Sequence, residues 1–145
     1  MSLLERLNTV HQIFLDTAPV IYFVEKNPSF APKVQPVFDR LDDSNLIAVV
    51  SPITLAECLV LPYKLGKPEV AQIFTDLLVN SQNVLFYPVD ETTAEKAAEL
   101  RARYNLTLTD AFQVAIAIQA GCDAFLTNDI ELKRVTDIPV LVVSE

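Results

Sequence analysis

Short apolar runs alternate with longer segments of helical periodicity along the whole chain. Five runs rich in Val, Ile, Leu and Phe predict strands: QIFL (12–15), LIAVV (46–50), VLFYP (84–88), AFL (124–126) and VLVV (140–143). Continuous runs of this kind are typical of strands that helices cover on both faces of a parallel sheet. Helical patterns fill the gaps, at residues 18–24, 31–42, 52–64, 67–80, 91–104 and 108–120. The order predicts a single α/β domain over residues 1–145, with a roughly five-stranded, mostly parallel sheet.

Local sequence signals mark where several of the predicted helices begin and end. Ser51 precedes Pro52, which places a capping hydroxyl before a proline at the first helical position. Thr107 and Asp110 have the spacing of a capping box, with Asp in place of the usual Glu or Gln. Gly121 follows the last helical pattern and is a natural stop.

Three of the apolar segments each contain one acidic residue and no Lys or Arg. Glu57 is the only charged residue in LIAVVSPITLAECLVLPY, and Asp110 is the only one in NLTLTDAFQVAIAIQAGC. Asp16 is the only acid in LNTVHQIFLDTAPVIYFV. A buried carboxylate without a partner is costly and either takes up a proton or finds a counter-charge. Three isolated acids of this kind therefore predict a shared role.

The predicted topology brings these acids to one end of the sheet. Helices of right-handed βαβ units begin at the carboxyl ends of the strands, where open α/β sheets bind ligands. Asp16 and Asp129 follow the first and fourth predicted strands, while Glu57 and Asp110 fall in the first two turns of helices. Ionised carboxylates ~5 Å apart repel by about 3 kcal/mol at an effective dielectric near 20. Protons or a hard cation must relieve this repulsion, and oxygen ligands suit Mg²⁺ or Mn²⁺.

The composition excludes several familiar kinds of site. The 145 residues include only two glycines, Gly66 and Gly121, which is too few for a glycine-rich phosphate loop. The single histidine, His11, excludes a zinc site built from several histidines. Cys58 and Cys122 lie in apolar segments without metal-ligand spacing, so we expect both to be reduced and buried.

The charge and the N-terminal sequence bear on partners and location. A formal net charge of −8 argues against a non-specific nucleic-acid coat and favours a basic partner or bound cations. The N-terminus lacks the basic region and apolar core of a signal peptide, and the apolar runs are interrupted by acids or prolines. We therefore expect a soluble, cytoplasmic protein that does not enter a membrane.

Four motifs together carry a resemblance to a known family. FLDTAPVIYFVE, SPITLAEC, LTLTDAFQVAIA and FLTND, in this order and spacing, resemble the PIN-domain ribonucleases, especially the VapC-like toxins of bacterial toxin–antitoxin pairs. The resemblance covers about residues 12–143 and implies a PIN-like fold. One departure is Ala18, where the family more often has a polar residue after the first acid and hydroxyl. The resemblance implies a catalytic, metal-binding set of acids with supporting polar residues: Asp16, Glu57, Asp110 and Asp129, supported by Thr17, Thr127 and Asn128.

The same resemblance implies a function and partners. It predicts an endoribonuclease that depends on Mg²⁺ or Mn²⁺ and leaves 5′-phosphate and 3′-hydroxyl products. It also implies homodimerisation and a small antitoxin that covers the acids with basic residues. Lys64 and Lys67, near the end of the helix that carries Glu57, are candidates for holding RNA phosphates.

Other interpretations of the same residues remain open. Asp16 and Asp129 have the positions of helix caps, and Asp110 is placed as a stabilising first-turn acid. An alternative function is that of a non-catalytic PIN-like module, which binds RNA or a protein without cleaving RNA. A phosphotransfer domain with an aspartyl acceptor is a third candidate, although Asp16 lacks a second acid two residues later.

Overall fold

The computed structural model describes all 145 residues and contains one five-stranded sheet. The strands are β1 Gln12–Leu15, β2 Ile47–Val50, β3 Val84–Phe86, β4 Ala124–Thr127 and β5 Val140–Val142. They lie in the order β3-β2-β1-β4-β5, and each neighbouring pair is parallel. The predicted α/β fold with a five-stranded sheet is confirmed, and the sheet is wholly parallel.

Seven α-helices connect and flank the strands. They are α1 Leu3–Arg6, α2 Thr17–Val24, α3 Ala31–Asp42, α4 Pro52–Lys64, α5 Pro68–Asn80, α6 Glu91–Tyr104 and α7 Leu108–Gln119. Two short 3₁₀ helices cover Leu7–Thr9 and Ile130–Arg134. The six helical patterns predicted from the sequence correspond to α2–α7, while the one-turn helix α1 was not predicted. None of the helices combines the length and apolar character that crossing a bilayer requires.

The helix boundaries follow the local signals in the sequence. The Ser51 hydroxyl accepts hydrogen bonds from the backbone N–H groups of Ile53 and Thr54 and so caps α4. The Thr107 hydroxyl accepts one from the backbone N–H of Asp110 at the start of α7. Gly121 lies just beyond α7 with φ of +74°, a backbone conformation that glycine adopts without steric cost. These contacts fix the start of both helices that carry predicted site acids.

The central strand β1 separates two apolar layers. Ile13 and Leu15 pack in a cluster with residues of α2, α3 and α5, whereas Phe14 faces the cluster formed with α6 and α7. Phe14 is in register with Phe125 of β4, and their rings stack with centroids 5.0 Å apart. The alternation anchors β1 rigidly and therefore fixes the position of the residue that follows it.

The prediction that all five strands are buried on both faces is wrong for β3. This outermost strand pairs only with β2, and it ends at Phe86 rather than at residue 88. Leu85 and Phe86 are 48% and 36% exposed. A strand at the side of a sheet has a single neighbouring strand, so its side chains lose part of the cover that central strands receive.

Candidate active site at the carboxyl end of the sheet

Four acids, here called the acid cluster, lie at the carboxyl end of the sheet: Asp16, Glu57, Asp110 and Asp129. Asp16 directly follows β1, and Asp129 follows β4, the strand beside it. Asp110 lies in the first turn of α7, and Glu57 lies in the second turn of α4. The structure thus brings together the four residues that the sequence placed at this end.

The Asp16 carboxylate links the neighbouring strands β1 and β4. One oxygen accepts a hydrogen bond from the backbone N–H of Thr17 (2.9 Å), which caps α2, and the other accepts from the Thr127 hydroxyl (2.8 Å). Burial raises the pKa of Asp16 to about 6. The hydrogen bonds from Thr127 and Thr17 oppose this rise, and the nearby carboxylate of Asp110 adds to it. The effect of burial on the pKa is larger than that of the hydrogen bonds, so the ionised form of Asp16 is destabilised in the folded protein.

Glu57 is exposed, which differs from the burial that its apolar sequence neighbours suggested. Glu57 lies on a face of α4 that no other element covers. Val60 and Leu61 in the same helix are also about half exposed, at 51% and 50%. The Thr17 hydroxyl donates a 2.6 Å hydrogen bond to the Glu57 carboxylate. Thr17 therefore connects Asp16, through its backbone, with Glu57, through its side chain.

Asp110 is partly buried and lies within the electrostatic reach of several other acids. Burial raises its pKa above the ordinary range, with further contributions from the carboxylates of Asp129, Glu57 and Glu131. The Thr107 hydroxyl opposes the rise. More neighbouring acids therefore contribute to the raised pKa of Asp110 than to that of Asp16.

Glu131 is a fifth acid near this site, and it was not predicted from the sequence. Its carboxylate forms an ion pair with Arg134 (3.4 Å), three residues later in the same 3₁₀ helix. The only sequence signal for it was its position two residues after Asp129, where a first-turn helix acid is common. Unlike the acid cluster, Glu131 has a cationic partner.

Asp129 adopts the capping geometry that was the alternative interpretation of its position. Its carboxylate accepts a hydrogen bond from the backbone N–H of Glu131 (3.0 Å) and caps the 3₁₀ helix. Its own backbone N–H donates to the Thr127 hydroxyl (3.1 Å). The Thr127 side chain, which is buried, thus joins Asp129 to Asp16. A capping carboxylate retains free lone pairs, so this geometry leaves Asp129 able to bind a further group.

Asn128 has a different position from the other predicted supporting residues. Its side-chain amide donates to the Tyr22 hydroxyl (2.9 Å) and accepts from the backbone N–H of Ser144 (3.0 Å). It makes no side-chain hydrogen bond to the acid cluster. Asn128 instead ties the loop after β4 to α2 and to the C-terminal segment, and so fixes the backbone from which Asp129 projects.

The acid cluster has no cationic partner. The five side-chain ion pairs of the protein all involve other acids. Lys64 and Lys67 are exposed, and Lys67 precedes α5 rather than ending α4. No three acidic, histidine or cysteine side chains are grouped tightly enough to form a complete metal site. The available donors are carboxylate and hydroxyl oxygens, a set that fits Mg²⁺ or Mn²⁺ and does not fit zinc.

Comparisons with known proteins agree with this fold. The DNA-bound VapBC of Salmonella typhimurium superposes with a TM-score of 0.70 at 21% identity, covering 92% of this chain and 98% of that one. VapBC2 of Rickettsia felis, bound to a fragment of its promoter, gives 0.70 at 20% identity, with 90% and 98% covered. The Mycobacterium tuberculosis toxin VapC20, which cleaves the sarcin–ricin loop, gives 0.67 at 18% identity, with 88% and 98% covered. These likenesses show a shared fold.

The sequence itself identifies the family. No curated protein sequence matches the chain. The family profile described as the PIN domain matches residues 13–138, which include all four members of the acid cluster. On this evidence the chain belongs to the PIN-domain family.

Proposed function

We propose that the protein is a metal-dependent endoribonuclease that hydrolyses RNA phosphodiester bonds with Mg²⁺ or Mn²⁺. The observation that carries the proposal is the convergence of four carboxylates, without a cationic partner, at the ligand-binding end of a parallel sheet. Acids whose pKa values are raised by burial and by one another cluster at functional sites, and a bound cation would relieve their repulsion. The family assignment supports the same chemistry, because nuclease activity is common among PIN domains.

The acid cluster would hold the cation, and Thr17 and Thr127 would orient two of its carboxylates. The Thr127 hydroxyl donates a hydrogen bond to the Asp16 carboxylate, and the Thr17 hydroxyl donates one to the Glu57 carboxylate. Each bond fixes the orientation of the carboxylate that accepts it. Asn128 holds the loop that carries Asp129. When bound, Mg²⁺ or Mn²⁺ supplies charge stabilisation for the phosphodiester and an activated water for in-line attack. Glu57 and Asp129 are exposed, so the end of the sheet is open to a polymeric substrate.

We further propose that the protein is the toxin of a toxin–antitoxin pair. The fold is shared with toxin chains of VapBC complexes and with VapC20, described as a sarcin–ricin loop cleaving toxin. A net charge of −8 favours a small antitoxin that presents basic residues to the acid cluster. The exposed apolar residues Leu61, Leu65 and Ile73 are consistent with protein partners, including a second copy in a homodimer. The protein would act in the cytoplasm as one domain over residues 1–145.

Cleavage of a structured RNA, with and without a chelator, tests the proposal. Mg²⁺ or Mn²⁺ should support cleavage, and EDTA should abolish it. Asp16→Asn and Asp110→Asn should each lower the cleavage rate by about 10²–10⁴-fold while circular dichroism remains native, because each removes a charge that the cation requires. Asp43→Asn is the matched control, since Asp43 is an exposed acid at the end of α3 and should leave the rate unchanged.

Two outcomes would contradict the proposal. Equal cleavage by the wild type and both site variants would mean that the activity comes from a contaminating nuclease. RNA binding without cleavage, at any concentration of Mg²⁺ or Mn²⁺, would instead support the alternative of a non-catalytic PIN-like module.

A further inference from the structure

A buried polar network lies beneath the acid cluster: Ser51, Thr54 and Gln113, each 0% exposed. Only five polar side chains are buried in the whole protein, so the network contains most of them. Gln113 is the most unusual of the three, because it lies in α7 among the fully buried apolar residues Val114, Ala115 and Ile116.

Every buried side-chain nitrogen and oxygen of the network has a hydrogen-bond partner. The Ser51 hydroxyl accepts from the backbone at the start of α4 and donates to the side-chain oxygen of Gln113. The Gln113 amide nitrogen donates to the Thr54 hydroxyl (2.8 Å). Thr54 in turn donates to the backbone carbonyl of Leu15 (3.4 Å). The Gln113 side chain also lowers the pKa of the Asp16 carboxyl slightly, against the larger effect of burial.

These bonds join the three elements that carry most of the acid cluster. Ser51 and Thr54 belong to the start of α4, which carries Glu57. Gln113 is one helical turn beyond Asp110 in α7. Leu15 is the last residue of β1 and directly precedes Asp16. One glutamine amide therefore connects α4, α7 and the end of β1 at a single point.

Packing alone gives no reason for a glutamine at this position. A buried amide must be fully hydrogen-bonded to avoid a desolvation cost, whereas an apolar side chain of similar size fills the same space without that requirement. Every neighbour of Gln113 along α7 from Val114 to Ala117 is apolar and fully buried. The network adds directional bonds, which fix the relative position of elements more narrowly than apolar contacts do.

We infer that Gln113 is a positioning residue, which through Ser51 and Thr54 fixes the positions of Asp16, Glu57 and Asp110 relative to one another. The expected effect of Gln113 on metal binding rests on the proposed function. Its effect on the arrangement of the three carboxylates does not depend on that function. Removal of groups that orient metal ligands typically lowers metal affinity by roughly 10- to 100-fold.

Two pairs of variants test the inference. Gln113→Leu removes the amide and retains the volume, and Gln119→Leu is its matched control in the same helix. Gln119 accepts a hydrogen bond from Thr93 and lies six residues further on, about 9 Å along the axis at 1.5 Å per residue. Thr54→Val removes the hydroxyl that Gln113 contacts, while Thr54→Ser retains it. The second pair decides the question if Gln113→Leu does not fold.

The first measurement is made on metal-free protein and does not depend on catalysis. The ¹³C NMR signals of the side-chain carboxyls of Asp16, Glu57 and Asp110 should move in Gln113→Leu and Thr54→Val. They should stay at their wild-type positions in Gln119→Leu and Thr54→Ser. Unchanged carboxyl signals in Gln113→Leu and Thr54→Val would overturn the inference whatever the protein binds or cleaves.

The second measurement is the dissociation constant for Mn²⁺, obtained by titration calorimetry. It should rise roughly 10- to 100-fold in Gln113→Leu and Thr54→Val and remain near the wild-type value in the two controls. Equal affinity in all five proteins would overturn the positioning role and leave the proposed function intact. If the wild type binds no Mn²⁺ and cleaves no RNA, the proposed function fails, and the carboxyl signals still decide whether Gln113 positions the acids.

Discussion

Asp16 shows how one carboxylate is balanced between opposing effects at the scale of a residue. It accepts hydrogen bonds from the Thr127 hydroxyl and the Thr17 backbone, both of which favour its ionised form. Burial and the neighbouring Asp110 nevertheless raise its pKa to about 6. In metal-free protein a proton therefore competes for this carboxylate up to about pH 6. A cation that bound Asp16 below this pH would have to displace the proton.

This balance predicts a pH-dependent stability of the metal-free protein. The pKa of Asp16 is about 6 in the folded state and near 4 in the unfolded chain. Because the folded state binds the proton more tightly, the stabilisation is complete below about pH 4 and is lost as the pH rises through about 6. At ~1.4 kcal/mol per pKa unit, Asp16 lowers the free energy of unfolding by up to about 3 kcal/mol over this window. Denaturant unfolding in the presence of EDTA, at steps between pH 4 and 7, measures it.

Asp16→Asn is the control for this prediction, because the amide does not titrate. The variant should lose most of the decline between pH 4 and 6, while the raised pKa of Asp110 leaves a smaller decline of the same sign. A wild type whose stability falls no further over this range than that of Asp16→Asn would show that the surroundings do not penalise the ionised Asp16 carboxylate.

At the scale of elements, the sequence predicted the strands and helices well and their exposure less well. Hydrophobic periodicity and capping residues are local signals. Ser51, Thr107 and Gly121 therefore predicted helix ends that the structure confirms. The exposure of Leu85 depends on which strand lies at the side of the sheet, and no local pattern carries that information. Glu57 was misjudged for the same reason, because the apolar face of α4 has no covering element.

Some residues of the candidate site could likewise be predicted from local sequence, and others could not. Asp16, Glu57, Asp110 and Asp129 could be found because each stands out from its own sequence neighbours and follows a strand or begins a helix. Gln113 and Glu131 were missed, because their significance comes from contacts with distant parts of the chain or with a neighbouring acid. A glutamine in an apolar helix carries no signal until its partners, 59 and 62 residues away, are known.

The exposure of β3 leads to a prediction for two matched leucines. Leu85→Ala in β3 should cost about 1 kcal/mol of unfolding free energy, since the side chain is already 48% exposed. Leu126→Ala in β4 should cost about 2–5 kcal/mol, since Leu126 is 0% exposed in the central part of the sheet. Denaturant unfolding of dilute protein compares them. Equal losses would show that another molecule covers β3 in solution, as in a dimer that uses this strand.

At the scale of the whole molecule, the parallel topology and the acidic charge act together. The strand order β3-β2-β1-β4-β5 places β1 and β4 side by side. Asp16 and Asp129, which follow these strands, therefore lie at the same end of the sheet. The helices α4 and α7 begin at that same end and bring Glu57 and Asp110. The fold thus holds together acids that would separate in an unfolded chain, and the folded metal-free protein retains their repulsion.

Binding of a divalent cation should relieve this repulsion and stabilise the whole fold. A ligand at 100 times its dissociation constant stabilises the folded state by about 2.7 kcal/mol, which for a chain of this size raises the melting temperature by roughly 5–10 °C. Asp110→Asn should raise the melting temperature of metal-free protein, because the pKa of Asp110 is raised by burial and by three neighbouring acids. The same variant should shrink the Mn²⁺-induced shift.

Differential scanning fluorimetry with and without Mn²⁺ measures both changes, with Asp43→Asn as a control that alters the net charge away from the site. The signs separate the two interpretations of Asp110. If Asp110 served only as a first-turn acid of α7, its neutralisation would remove a favourable interaction with the helix dipole and lower the metal-free melting temperature. A melting temperature that does not respond to Mn²⁺, together with a less stable Asp110→Asn, would mean that these carboxylates do not share a cation.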